Sequence, residues 1–261
     1  SIFNSGVTHE SSMWFFNTRK EDLEEFPSSR SKKNWWKRRG FESAEAYQEF
    51  EIPLQVPEDL KVKIPPYLPQ NEIGAMAMRR MYSNIVRMDH FFGKILNQLE
   101  KDGLLEETII VCYSDHGGPL PREKRLLYDS GLKVPLIIRF PNKERAGQRD
   151  DRLISFVDFP PTLLSMVEIE PPSYMQGQAF EGKFRTNTPR KFIHAHADRF
   201  DESVDMIRAV RDKRFKYLKN FYPDKPYYLP LKYREGMEVM QELLRMRDSG
   251  ELDKNQALWF R

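Results

Sequence analysis

The run Thr108-Ile-Ile-Val-Cys-Tyr-Ser-Asp-His-Gly-Gly118 restricts the possible folds more than any other stretch of the chain. Its first half is apolar at odd and even positions alike, the pattern of a strand covered on both faces, as in a central parallel strand. It then passes directly into a glycine turn that displays Asp115 and His116. Ligand sites in open α/β sheets collect at the C-terminal ends of strands, so two metal-capable side chains are well placed there. Asp-His-Gly is a common tripeptide, and a turn-capping Asp beside a backbone-satisfied His is the competing reading.

The surrounding pattern predicts an α/β domain. Asn71 to Lys101 reads as a long helix, because Met81, Ile85, Met88, Phe92, Ile95 and Leu99 recur at spacings of three and four and lay an apolar stripe against a core. Gly103 closes it. Val134 to Phe140 supplies a second apolar strand, and Asp158 to Val167 a short helix with prolines in its first turn. Beyond about residue 185 the texture changes to short strands over Lys191 to Ala195, Met206 to Arg211 and Phe215 to Asn220, the last two joined as a hairpin through Asp212 and Lys213. A helix over Arg234 to Arg247 follows. Residues 1–7 read as a short strand, 17–70 as long loops with one short helix near 43–50.

Composition narrows the class. The 261 residues, 39% hydrophobic, suffice to bury a core. The 42 Lys and Arg against 39 Asp and Glu leave a net charge of only +3, so a nucleic-acid partner is not expected. No apolar run is long enough to span a bilayer, and no membrane partner is expected. The one cysteine, Cys112, sits within the apolar strand and reads as an inert structural thiol. Ser1 leads straight into Ile-Phe-Asn-Ser-Gly-Val with no initiator Met, which suggests a piece of a longer protein.

Arg122, Lys124 and Arg125 follow the Asp-His turn closely and set a cationic loop beside it. A cation next to a divalent ion rewards an anionic ligand; a solvated basic loop is the plainer alternative. In order, Ser114-Asp-His-Gly117, Lys124 four residues before Tyr128, the Gly131-x-x-Val-Pro-Leu-Ile-Ile-Arg-Phe-Pro141 run, Arg152 to Leu164, Met175 to Gly182 and Asp205 to Tyr217 resemble the C-terminal half of sulfatases in the alkaline phosphatase superfamily.

That resemblance implies a mostly parallel mixed sheet sandwiched by helices, with residues 1–184 forming the C-terminal part of the catalytic domain and 185–261 a small antiparallel α+β subdomain. It implies that Asp115 and His116 bind one divalent cation, calcium or else magnesium. It further implies that Lys124 contacts the sulfate, and that His9 lies near the leaving oxygen, where a protonated imidazole would act as general acid. The substrate it implies is a sulfate ester or sulfamate on a sulfated carbohydrate, and the turn Gly117-Gly-Pro-Leu-Pro121 is similar to sulfamidase-like members acting on glycosaminoglycans. Such proteins are often periplasmic or secreted.

The chain departs from the family at the nucleophile. Formylglycine in sulfatases arises from the first residue of Cys-x-Pro-Ser-Arg or Ser-x-Pro-Ser-Arg, and neither motif occurs here; Glu25-Phe-Pro-Ser-Ser-Arg30 has the wrong first residue and an extra Ser. The paired aspartates of the metal site and a second lysine also belong to the family's N-terminal half. The chain alone is therefore expected to be inactive. Two other readings stay open. One is a two-metal phosphodiesterase or phosphonate hydrolase of the same superfamily, recruiting His194 and His196, because imidazole suits zinc better than calcium. The other is a non-catalytic polyanion-binding segment using Arg30, Lys32, Lys33, Lys37, Arg38 and Arg39 around Trp35 and Trp36.

Overall fold

The computed structural model describes residues 54–261. His9, the Glu25–Arg30 segment, the Arg30–Arg39 basic run and the helix expected near 43–50 lie outside the described residues. The chain divides into two compact units, one of Ser1–Glu144 with Lys225–Arg261 and one of Arg145–Asp224. The change of texture near residue 185 falls inside the second.

In the first unit, helix α1 spans Glu72–Lys101, and the Asn71 side chain caps it by accepting from the Gly74 N–H. The helix lies where the periodicity predicts, but not with the predicted face inward. Ile85 is 44% exposed, and Met81, Met88, Phe92, Ile95 and Leu99 are only half-buried. The fully buried side holds Ala75, Ala77 and Met78 together with Arg79, Arg80, Ser83, Asn84 and Arg87. Its neighbour is the reason. The helix Glu238–Asp248 turns acidic groups toward it, so Arg80 reaches Glu238 at 3.1 Å and Asn71 reaches Glu242 at 2.8 Å. Arg80 follows the Glu238 carboxylate, Arg79 and Arg87 are held by Glu72 and Asn84 of their own helix, and the apolar stripe is left half-covered.

Strand β1, Ile110–Tyr113, pairs antiparallel with β2, Leu136–Arg139, with Val111 opposite Ile138. The sequence suggested parallel strands here. A parallel return needs a crossover, usually a helix, whereas the intervening loop contains only the single turn α2, Asp129–Leu132, and the chain doubles back. Both sheets among the described residues are antiparallel, so the observed class is mixed α and β. The C-terminal helix begins at Glu238 rather than 234, after a separate turn over Lys232–Glu235, and buries Val239, Met240 and Leu243.

The second unit starts with a 3-10 turn, Phe156–Asp158, running into helix α3, Phe159–Met166, with prolines at its start as expected. A three-stranded antiparallel sheet follows in the order β3 (Ile193–Phe200), β4 (Ser203–Arg211), β5 (Lys216–Asn220). The predicted hairpin is present. Asp212 makes its turn by accepting from the N–H groups of Arg214 and Phe215 at 2.7 and 2.5 Å. No helix among the described residues is long and apolar enough to cross a membrane.

Candidate functional site

Strand β1 delivers Ser114, Asp115 and His116 to the loop that joins it to α2. Ser114 Oγ donates to the His116 carbonyl at 2.6 Å and stiffens the turn. His116 Nδ1 lies 2.8 Å from the Gly117 carbonyl. A carbonyl only accepts, so this contact places a proton on Nδ1 and turns Nε2 to another partner. Nε2 stands 3.6 Å from Asp115 Oδ1, and the Asp115 side chain is 81% exposed. Two ligand atoms bound to one ion at right angles, with bonds of about 2.1–2.4 Å, stand roughly 3.0–3.4 Å apart. The pair is close to that spacing, and a carboxylate and an imidazole are both donor types that hold divalent ions, so the residues fit a cation.

Two glycines let the turn sit against its support. A Cβ on Gly117 would fall 1.7 Å from the Ser130 carbonyl oxygen, and one on Gly118 would fall 2.0 Å from Glu123 Oε2. The Gly117 N–H donates to Gly131 at 2.9 Å, and the Lys124 N–H donates to the Gly118 carbonyl at 3.1 Å. The backbone of Lys124 is thereby tied to the Asp-His turn. Glu123 holds the same loop from below: its carboxylate accepts from the Leu120 N–H at 2.9 Å and the Tyr67 hydroxyl at 3.2 Å. Burial pushes the Glu123 carboxyl above its ordinary range, although these two donors oppose the rise. Burial, then the Glu123 charge, likewise pushes the Tyr67 phenol up.

The Arg122 guanidinium lies over the rings of Tyr67 and Tyr128, 4.7 and 4.4 Å from their centroids, and Arg125 lies 5.7 Å from that of Tyr233. Arg122 and Arg125 both adopt positive φ, 67° and 73°. Such strain in bulky residues is a recurrent property of functional loops. Lys124 itself is half-buried.

Among the described residues, no group of three or more His, Cys, Asp or Glu side chains could hold a metal ion. Asp115 and His116 therefore meet as a pair, and His194 and His196 complete no such group. Cys112 is half-buried rather than buried, and desolvation pushes its thiol up, which keeps it protonated and unreactive.

Sequence reasoning missed Glu123 and Asp158. Asp158 heads the short helix expected from the sequence, but its side chain is 2% exposed and grips Arg190 through bonds of 2.7 and 2.5 Å. It also accepts from the Ser155 and Gln178 N–H groups at 3.0 and 2.9 Å. Burial alone would raise its pKa, yet Arg190 and the two amides together outweigh burial and hold the carboxyl below the usual range. An ion partner 32 residues away leaves no local signal.

Comparison with known proteins completes the description. The family profile described as Sulfatase matches residues 12–169, and that described as N-sulphoglucosamine sulphohydrolase, C-terminal, matches residues 122–254. An ulvan-active sulfatase of Formosa agariphila is 50% identical over 262 residues, covering 100% of this chain and 44% of its own length. An N-acetylglucosamine-6-O-sulfatase of Bacteroides thetaiotaomicron is 34% identical over 158 residues, covering 56% of this chain and 28% of its own. A solved structure of a protein in complex with its substrate D-glucosamine-2-N,6-O-disulfate aligns with a TM-score of 0.50 and 28% identity, over 73% of this chain and 42% of that one. The chain thus spans less than half the length of these relatives.

Proposed function

The chain belongs to the sulfatase family, and on that premise we propose that the protein carrying it hydrolyses sulfate esters or sulfamates of a sulfated carbohydrate. Asp115 and His116 are two ligands of one divalent cation, and Lys124 is the fixed charge on the sulfate. The observation that carries this assignment is His116 Nε2 standing 3.6 Å from the exposed Asp115 carboxylate, on a turn braced to the Lys124 backbone. Calcium or magnesium, once bound, would polarise a sulfate oxygen and neutralise charge that grows there.

The protein's own groups do the rest. Lys124, whose backbone is tied to the turn by the Gly118 bond, offers an ammonium that stabilises the departing charge. His9, outside the described residues, is the proposed proton donor to the leaving oxygen. The nucleophile, a formylglycine in this reading, lies outside this sequence. The relatives' names support the substrate class: one acts on ulvan and another on N-acetylglucosamine-6-O-sulfate groups. The family reading also carries a mostly parallel central sheet, a division of the chain into 1–184 and 185–261, and a periplasmic or secreted location.

The test uses the complete gene product with sulfated mono- and oligosaccharides. Asp115→Asn should abolish turnover and Lys124→Ala should lower kcat by about 10²–10³, with circular dichroism unchanged. Retained turnover in Asp115→Asn would defeat the assignment.

A further inference from the structure

On the sheet β3-β4-β5, well apart in sequence from the Asp115 turn, His196 lies directly opposite Arg208, and Arg208 directly opposite Lys219. The next row is His194, Val210 and Tyr217. Side chains alternate across a strand, and burial identifies the sides: Ala197, Ile207 and Ala209 are buried on one face, whereas His194, His196, Tyr217 and Lys219 are exposed on the other. Three nitrogenous side chains thus form one line across three strands, spanning two inter-strand spacings, or roughly 10 Å.

Such a line is unfavourable by itself. Like charges directly opposite on neighbouring strands destabilise a sheet, and an ion pair joins Arg208 to Asp198 at 2.6 Å and offsets part of that cost. An anion laid along the row would relieve the repulsion between Arg208 and Lys219. The row is also bordered by rings. Tyr217 is 65% exposed beside it, Phe215 is exposed at the adjoining turn with Arg214 over its ring at 4.9 Å, and Lys219 lies over Phe221 at 4.7 Å. Cations interleaved with exposed rings suit a ligand that alternates anionic groups with flat apolar faces.

We propose that this face is a docking surface for a sulfated polysaccharide chain, whose sulfate groups lie along His196, Arg208 and Lys219 while a pyranose ring stacks its C–H face on Tyr217. A nucleic-acid strand is the poorer match, because Asp198 stands beside the row and the net charge of the whole chain is only +3. The choice of a sulfated glycan rests on the sulfatase reading above; the cation row does not. A surface of this kind would hold a polymer while its sulfate groups are cleaved elsewhere, and would contribute nothing toward a monosaccharide.

The experiment measures binding of dextran sulfate, uncharged dextran and single-stranded oligothymidylate to the complete gene product by calorimetry at several salt concentrations. Arg208→Gln/Lys219→Gln should weaken dextran sulfate binding at least tenfold and flatten its salt dependence. Tyr217→Ala should weaken it several-fold with the salt dependence intact, and uncharged dextran should not bind. Both variants should remain folded by circular dichroism and hydrolyse a sulfated monosaccharide at the parent rate, so loss of the docking surface is distinguishable from loss of the reaction. Undiminished dextran sulfate binding in the double variant would overturn the proposal, as would oligothymidylate binding as tightly as dextran sulfate.

Discussion

Asp158 and Asp115 each stand where a strand or turn gives way to the next element, yet the molecule treats them in opposite ways. Asp158 is buried, and its two oxygens receive both Arg190 contacts and two backbone N–H groups. Its hydrogen-bonding capacity is used up by its own unit. Asp115 is exposed, and His116 Nε2 stands 3.6 Å away. Among the described residues no hydrogen-bond donor is seen on that carboxylate, which is the capacity the proposed cation would use. Satisfied burial suits an architectural role, whereas exposure on a braced turn is what the proposed ligand role requires.

The largest effect should come from the buried side. Removing one partner of a buried ion pair strands the other, so Asp158→Ala should cost about 3–5 kcal/mol in a urea melt. Asp115→Ala should change stability by less than about 0.5 kcal/mol while removing activity. Equal losses of stability would break the contrast.

Acid sharpens it. The folded Asp158 carboxyl lies below its unfolded value, near 4, so its stabilisation is complete above that value and is lost as pH falls through the lower folded one. The folded Glu123 carboxyl is raised instead, so its ionisation weakens the fold as pH rises through the folded value. Stability followed against pH should therefore lose acid sensitivity in Asp158→Asn and lose part of its fall at higher pH in Glu123→Gln. A Glu123→Gln curve matching the parent would contradict the raised value.

A smaller effect separates charge from bonding at Glu123. Glu123→Ala leaves the Leu120 N–H and Tyr67 hydroxyl without their acceptor, at about 1–3 kcal/mol. Glu123→Gln keeps an acceptor and should cost less than about 1 kcal/mol. Thermal melts of the two variants would compare them.

The Asp115-His116 turn, the α1 helix and the Asp212 hairpin were legible because each is written in adjacent residues: an apolar strand running into glycines, a period near four, an Asp at the head of a tight turn. The parts that were not legible depend on distant chain. Nothing near Ile85 says that Glu238, 158 residues beyond Arg80, will take that arginine and favour the polar face of the helix inward. Nothing in Val134 to Phe140 distinguishes parallel from antiparallel pairing until the missing crossover helix is seen. Glu123 was hidden for a related reason, since its value comes from Tyr67 and from the contact with Gly118, and a Glu in a basic loop looks like a solvated charge.

The central claim is that Asp115 and His116 are part of a divalent-cation site, and calcium binding to the complete gene product, measured by calorimetry with magnesium in parallel, tests it most directly. The account predicts one ion per chain in the parent and its loss, or at least a hundredfold weakening, in both Asp115→Asn and His116→Ala without a change in fold. Parent-like binding of that ion in either variant would contradict it.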